Sequence, residues 1–298
     1  MPLSIGLEIE GVALKPVNSA LEFPPESEKQ LFIIVESLRR AGLSSRVYLP
    51  SSTRGAGPDY SIWNVTMDVT VSELTSGSEF ENSKFLRRFG FEIVTPIFRD
   101  IQDDAWMAQL HAGLDAVGKA VCWKANRSTG LHVHVGREGD TTKYSLVEVQ
   151  KIAMFYCRFE AAIDEFHPAH RSEENEYIMS NRQNPVLKDL SISQVYDRIG
   201  ASSSIEDVCK LVNHCPGETN YDGYHDSRFF KVNFTSLQKH DTIEFRQHEG
   251  TVDGKQMIKW IKFITKFVNF AISAPMTTIT SPGESFEHLR QLIVPPNN

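Results

Sequence analysis

Three short stretches of this chain each place two metal- or phosphate-competent side chains two residues apart on an otherwise apolar strand. Glu8 and Glu10 do so within IGLEIEGV, and His132 and His134 within GLHVHVG. Glu244 and Arg246 do so within TIEFRQH, with His248 next in the row. Alternate residues of a strand share a face and lie about 6.6–6.8 Å apart. Taken singly, each pair has an ordinary structural reading: a solvated Glu-x-Glu face, two histidines hydrogen-bonded at a sheet edge, or a cross-strand ion pair worth little. Taken together they point elsewhere, because the residues between them are strongly apolar (Ile5, Leu7 and Ile9; Leu131, Val133 and Val135; Ile243 and Phe245). Such strands belong in a core, with carboxylate and imidazole lining the floor of a polar cleft. Two carboxylates about 5 Å apart repel by about 3 kcal/mol at an effective dielectric near 20, so a group of them calls for cations. Oxygen-rich ligation with few histidines favours Mg2+ or Mn2+ over structural zinc. Arg246 beside Glu244 then serves as a phosphate clamp. Two other readings stay open: a hydrolase or oxygenase with a single zinc or iron on the His-x-His pair and a carboxylate, and a non-catalytic binding protein on the same fold.

The elements that must carry these residues follow from periodicity and end signals. Strands are expected over Leu3–Ala13, Trp63–Met67, Phe91–Val94 and Gly130–Gly136. A further pair is expected over Lys231–Leu237 and Thr242–His248, joined by a turn at Gln238–Asp241. A helix opens with a capping pair at Ser27 and Gln30, buries Leu31, Ile34, Val35 and Leu38, and stops at Gly42. Trp106, Leu110, Leu114 and Val117 mark a second helix. Ser145 and Glu148 cap a third, carrying Val149, Ile152, Tyr156, Phe159 and Ile163. Short helices cover Ile192–Ile199 and Ile205–Val212, the latter with a capping pair at Ser203 and Glu206, and a last long one carries Met257, Trp260, Ile264, Phe267 and Ala271. With no repeat and no linker, the chain reads as one α+β domain, residues 1–298, on a mostly antiparallel sheet.

Composition narrows the partners. The 298 residues carry a formal charge of −7, which argues against nucleic acid or an anionic membrane as the main partner. The N-terminal residues lack the basic and apolar regions of a secretory signal, and no apolar run is long enough to span a bilayer. The four cysteines show no CxxC spacing, and Cys157 and Cys209 fall on apolar helix patterns. They read as reduced packing thiols in a cytoplasmic protein.

In order, IGLEIEG, FEIVTP, GLHVHVG and TIEFRQHEGT resemble the amidoligase family, carboxylate–amine ligases related to glutamine synthetase and glutamate–cysteine ligase. The resemblance runs from about Ile5 to Phe270, and GLHVHVG and TIEFRQHEGT are its most specific stretches. It implies a glutamine-synthetase-like α+β fold, an antiparallel sheet forming a cleft backed by helices. It implies ATP and two or more Mg2+ or Mn2+ ions, with an amide bond formed through an acyl-phosphate. By the same resemblance Glu8, His132 and Glu244 are ligands of the metal beside the nucleotide phosphates, and Glu10 and Glu92 of the metal on the substrate side. His134 sits near the nucleotide, and Arg246 holds the transferred phosphate. Asp68, in WNVTMDVTVSE, is a further ligand or an amine-orienting group, in competition with Glu73. Arg228 and Asn233, in RFFKVNFTSL, line the nucleotide or phosphate region, and Asn181 and Arg182 are candidates for phosphate or substrate contact. The partners implied are a small carboxylic acid and an amine, which can be ammonia, an amino acid or a protein lysine.

Overall fold

The apolar residues that alternate with acids near the start of the chain form one long strand. The computed structural model describes residues 2–16, 27–49, 57–68, 70–71, 85–139, 143–172 and 175–294. In it β1 spans Leu3–Pro16, with Ile5, Leu7 and Ile9 fully buried. The other strands are β2 (Ser45–Val47), β3 (Trp63–Thr66), β4 (Phe85–Val94), β5 (Cys122–Lys124), β6 (Gly130–Arg137), β7 (Val232–Asn233) and β8 (Thr242–Glu249). The fold is mixed α/β on an open sheet, with strand order β2-β3-β4-β1-β6-β8-β7 and β5 paired to β1. The sheet is mostly antiparallel; β2 and β3 run parallel. The chain parts into two compact units. One comprises Ser4–Val133 and Glu249–Lys259, the other Met1–Leu3, His134–His248 and Trp260–Asn298.

In the first unit α1 (Ser27–Arg40) packs on α2 (Ala105–Ala120), and Ser37 Oγ donates to Ala116 O at 2.7 Å. The expected stripe of Leu31, Ile34, Val35 and Leu38 is completely buried. Gly42 ends the helix at φ +79°, a conformation that glycine adopts without strain. Gly113 lets α2 approach β3, since a Cβ there would run into the Trp63 ring. The side chain of Ser27 and the residues Ser51–Ala56 lie outside the described part of the chain.

The second unit is built around α3 (Leu146–Asp164), whose Ser145–Glu148 capping box forms as expected. It also contains α4 (Ala169–Ser172), α5 (Ile192–Gly200), α6 (Ile205–Val212), α7 (Ser236–His240), α9 (Met276–Ile279) and α10 (Phe286–Ile293). α8 (Gly254–Ser273) begins in the first unit and ends in this one. Phe155 of α3 packs against Phe267 and Phe270 of α8, with ring centroids 4.7 and 5.2 Å away. Cys157 and Cys209 are buried, free thiols. Burial pushes both up, Cys209 to about 12. Among the described residues no helix is long and apolar enough to cross a membrane.

Two expectations need correction. Of the expected pair, Thr242–His248 forms as β8, but the strand over Lys231–Leu237 is limited to Val232–Asn233, after which the chain closes into α7 instead of a simple turn. The cause is side-chain competition for the backbone: Asn213 Oδ1 takes the Phe234 N–H at 3.1 Å, and Thr235 Oγ1 donates to Asn233 Oδ1 at 2.6 Å. The α6 cap is shifted by one residue. Ser204 accepts from Asp207 N–H, while Ser203 donates its N–H and hydroxyl to the Asp207 carboxylate.

Arg158 of α3 is 2% exposed and spends its guanidinium on four carbonyls, those of Thr278, Ile279, Pro282 and Gly283, at 2.6–3.1 Å. These carbonyls lie at and beyond the C-terminal end of α9. Arg158→Met keeps the stem and strands the acceptors. Unfolding in urea should show a loss of about 3 kcal/mol at unchanged m-value. A midpoint equal to wild type would mean that water replaces the guanidinium at no cost.

Candidate active site

In the first unit the register of three strands creates an acidic row. Thr66 of β3 faces Glu92 of β4, and Glu92 faces Glu10 of β1. Facing residues share one side of the sheet, with Cβ atoms about 4.5–5.5 Å apart. Asp68, two residues beyond Thr66, reaches the same side. One oxygen from each of Glu10, Asp68 and Glu92 lies within 4.8 Å of the others. Thr70 fixes the Asp68 carboxylate, donating its N–H and its hydroxyl to Oδ1, both at 2.7 Å. Glu10, 4% exposed, accepts the Gly130 N–H on Oε2 at 2.6 Å. Its Oε1 stands 3.5 Å from Nε2 of His132, whose Nδ1 bonds Glu8 Oε2 at 3.0 Å. His132 is 4% exposed, so a buried imidazole bridges the two glutamates of β1.

Three carboxylates converging from adjacent strands, one of them buried, are a costly arrangement in isolation. The donor set is all oxygen and holds no thiolate, and it fits a hard divalent cation such as Mg2+ or Mn2+. Glu73, the competing position for a third carboxylate, lies outside the described residues.

The second unit holds its own polar group. Glu244 of β8 is 4% exposed, and both of its oxygens are engaged. Oε1 accepts from Arg246 Nη1 at 2.5 Å, and Oε2 accepts from Asn233 Nδ2 at 2.7 Å. Register explains the second contact, because Asn233 of β7 faces Glu244 directly. His134 directs Nε2 toward Glu244 Oε1 at 3.8 Å and bonds the Thr242 hydroxyl through Nδ1 at 2.9 Å. Arg228 and Arg246 both lie over the Phe229 ring, 4.6 and 5.8 Å from its centroid. That places two guanidinium groups around one aromatic side chain.

Other candidates are occupied differently. The Arg182 guanidinium donates to the carbonyls of Leu187 and Leu190 at 2.6 and 2.5 Å. The Asn181 amide joins Val212 O, Val232 O and Val232 N–H. Both side chains brace loops. His248 packs against Trp260 and His167, with centroids 5.4 and 5.5 Å away, as a core aromatic. His167, half-buried, is held neutral, its pKa pushed down to about 3 by desolvation first and by the neighbouring His248 second.

The sequence reading passes over several neighbours of the acidic row. Asn64, Thr66 and Asp68 repeat the same two-residue spacing along β3, and that alternation is visible in WNVTMD. Arg46 of β2 faces Asn64 in register and bonds its Oδ1 at 2.9 Å. The Gly130 N–H that holds Glu10 leaves no side-chain signal at all.

No protein of curated function matches the chain at a significant level. A family model described as "putative amidoligase enzyme" matches residues 2–268 of the 298, a span that includes every candidate residue named above. The chain belongs to this amidoligase family of ligase-type enzymes.

Proposed function

We propose that the chain is an ATP-dependent carboxylate–amine ligase that joins a small acid to an amine through an acyl-phosphate. The observation that carries this reading is the row of Glu10, Glu92 and Asp68, three carboxylates converging from adjacent strands in a chain of an amidoligase family. Glu10, Glu92 and Asp68 would hold a divalent ion on the substrate side. By resemblance to the family, Glu8 and His132 would hold another beside the nucleotide phosphates. When bound, these ions would supply positive charge that offsets the carboxylates and the nucleotide phosphates. Arg246, with Arg228, steadies the phosphoryl group as it passes from ATP to the substrate carboxylate. Such side chains act through position and charge more than through covalent chemistry. Asn233 orients Glu244, and His134 borders the nucleotide. The amine must be neutral to attack the acyl-phosphate and expel inorganic phosphate, so Asp68 or Glu92 binds its ammonium form and accepts a proton. The acceptor is a small amine or a peptide amine.

The test is ADP release by purified protein incubated with ATP, Mg2+ and pooled acids and amines. Release should require both pools, stop on chelation and return with added Mg2+. One zinc ion copurifying per chain, together with no ADP from any pool, would instead identify a single-metal enzyme on the His-x-His pair.

A further inference from the structure

Arg46 sits on the same side of the sheet as the acidic row, and among the described residues no structural ion pair accounts for its charge. Its strand β2 runs parallel to β3, with Arg46 opposite Asn64, Asn64 opposite Val94, and Val94 opposite Glu8. The neighbouring row is Thr66, Glu92 and Glu10. The guanidinium is held from behind. Nε donates to Asn64 Oδ1 at 2.9 Å and Nη2 to Gly57 O at 3.1 Å. Asn64 is completely buried, and its Nδ2 donates to the carbonyls of Asp59 and Ile62 at 2.8 and 3.0 Å. Its amide therefore cannot swing, and Arg46 is pinned to a fixed acceptor.

Among the described residues no carboxylate pairs with this guanidinium. Asp59 feels its charge only weakly. The Asp59 carboxyl is held below its ordinary value chiefly by the Ser61 hydroxyl and N–H, at 2.6 and 2.9 Å. An arginine tethered through Nε and one Nη2 hydrogen, with its guanidinium 5.9 Å from the centroid of the Tyr48 ring and its Nη1 bonded to none of the described residues, is preorganised for a planar anion.

We propose that Arg46 anchors a second anionic group of the acid substrate, which makes the substrate a dicarboxylate or an acid with a comparable anion at its far end. This rests on the ligase reading, in which the reacting carboxylate lies at the Glu10–Glu92 row. β2 and β4 are two strand spacings apart, about 10 Å. Long side chains close part of that gap and leave a spacer of a few carbons between the two anionic groups. The cation stands across β3 from the acids that would bind the reacting carboxylate, so an anion at the far end of the same substrate reaches it, and its fork matches a carboxylate edge.

The test uses the full chain and three acid pairs of equal carbon number: succinate and butanoate, glutarate and pentanoate, adipate and hexanoate. Binding is measured by titration calorimetry in the presence of Mg2+ and a non-hydrolysable ATP analogue. Turnover is measured as ADP release with hydroxylamine as the amine. At least one diacid should bind about tenfold or more tighter than its monoacid. Arg46→Gln should erase that difference with nucleotide affinity unchanged, and Arg46→Lys should restore part of it. Far-UV circular dichroism and thermal unfolding confirm that both variants fold. Equal binding of diacids and monoacids by wild type overturns the inference, as does a preference that survives in Arg46→Gln. A loss of nucleotide affinity in Arg46→Gln overturns it too, and assigns the arginine to a phosphate. The two readings fail separately. Arg46-dependent diacid binding without ADP release sinks the ligase reading alone, and ADP release without an Arg46-dependent preference sinks this one alone.

Discussion

Glu10→Gln is expected to abolish ADP release while leaving the metal-free protein at least as stable as wild type. Glu10 faces Glu92 across two paired strands, and one oxygen of Asp68 is within 4.8 Å of both carboxylates. At about 5 Å and an effective dielectric near 20, each like-charge pair costs about 3 kcal/mol before screening. Removing the Glu10 charge relieves this repulsion in the absence of metal. The glutamine carbonyl can still accept the Gly130 N–H, so the hydrogen bond that holds the side chain survives. With Mg2+ or Mn2+ the order reverses. A ligand that binds only the folded state stabilises it by about 2.7 kcal/mol at a hundred times its Kd, and the variant forgoes most of that. Thermal unfolding with and without the metal should therefore give curves that cross: equal or higher Tm for Glu10→Gln without metal, higher Tm for wild type with it. Turnover should fall by about a thousandfold or more, as when a charge-stabilising group is lost from a phosphoryl-transfer site. An apo variant several degrees less stable than apo wild type would show that Glu10 is a structural carboxylate, and the metal reading of the row would fall with it.

The strands that carry the site are legible because each buries one face and lines the other with polar groups. Apolar residues at 5, 7 and 9 leave 8 and 10 together, and the same logic pairs 132 with 134 and 244 with 246. A two-residue period also pins the register, since a slip of one would bury the acids and expose the aliphatic residues. The β3 alternation is as regular, but Asn64 and Thr66 are uncharged, and a neutral polar stripe reads as an ordinary exposed face. Arg46 is harder still. Its strand has three residues and pairs in parallel with residues 18 positions away, so nothing local signals which side chains it faces. The break after Asn233 is non-local in the same sense, because the acceptor that replaces the strand ladder at Phe234 comes from Asn213. The substrate-side acids Glu10 and Glu92 meet only through β1–β4 pairing across more than 80 residues, which resemblance to a family supplies and periodicity does not.

Arg246→Lys should separate charge from geometry at the transferred phosphate, and we expect kcat to fall by about a hundredfold or more with KM for ATP changed only a few-fold. The backbone at this position is fixed independently of the side chain. The Arg246 N–H donates to Lys231 O at 2.8 Å, and its carbonyl accepts from Arg171 Nη2 at 2.6 Å. Substitution therefore leaves β8 in place. Arg246 meets Glu244 through Nη1 at 2.5 Å, and its plane lies near the Phe229 ring. A planar fork can bond Glu244 along one edge and present its other edge to a phosphoryl oxygen at the same time. A lysine ammonium is a point charge, and it must divide itself between the two. Because the charge is retained, ground-state attraction for ATP survives, and the loss falls on the oriented contact to the group in flight. Arg246→Ala is the harsher control. It removes one partner of a carboxylate that is only 4% exposed, and a stability loss of about 2–3 kcal/mol should accompany its inactivity. The lysine variant should unfold close to wild type in the same urea titration, so that its slow turnover cannot be blamed on the fold. Wild-type kcat in Arg246→Lys would move the phosphate clamp away from β8. Arg228, which shares the Phe229 ring, would then be the guanidinium to vary next.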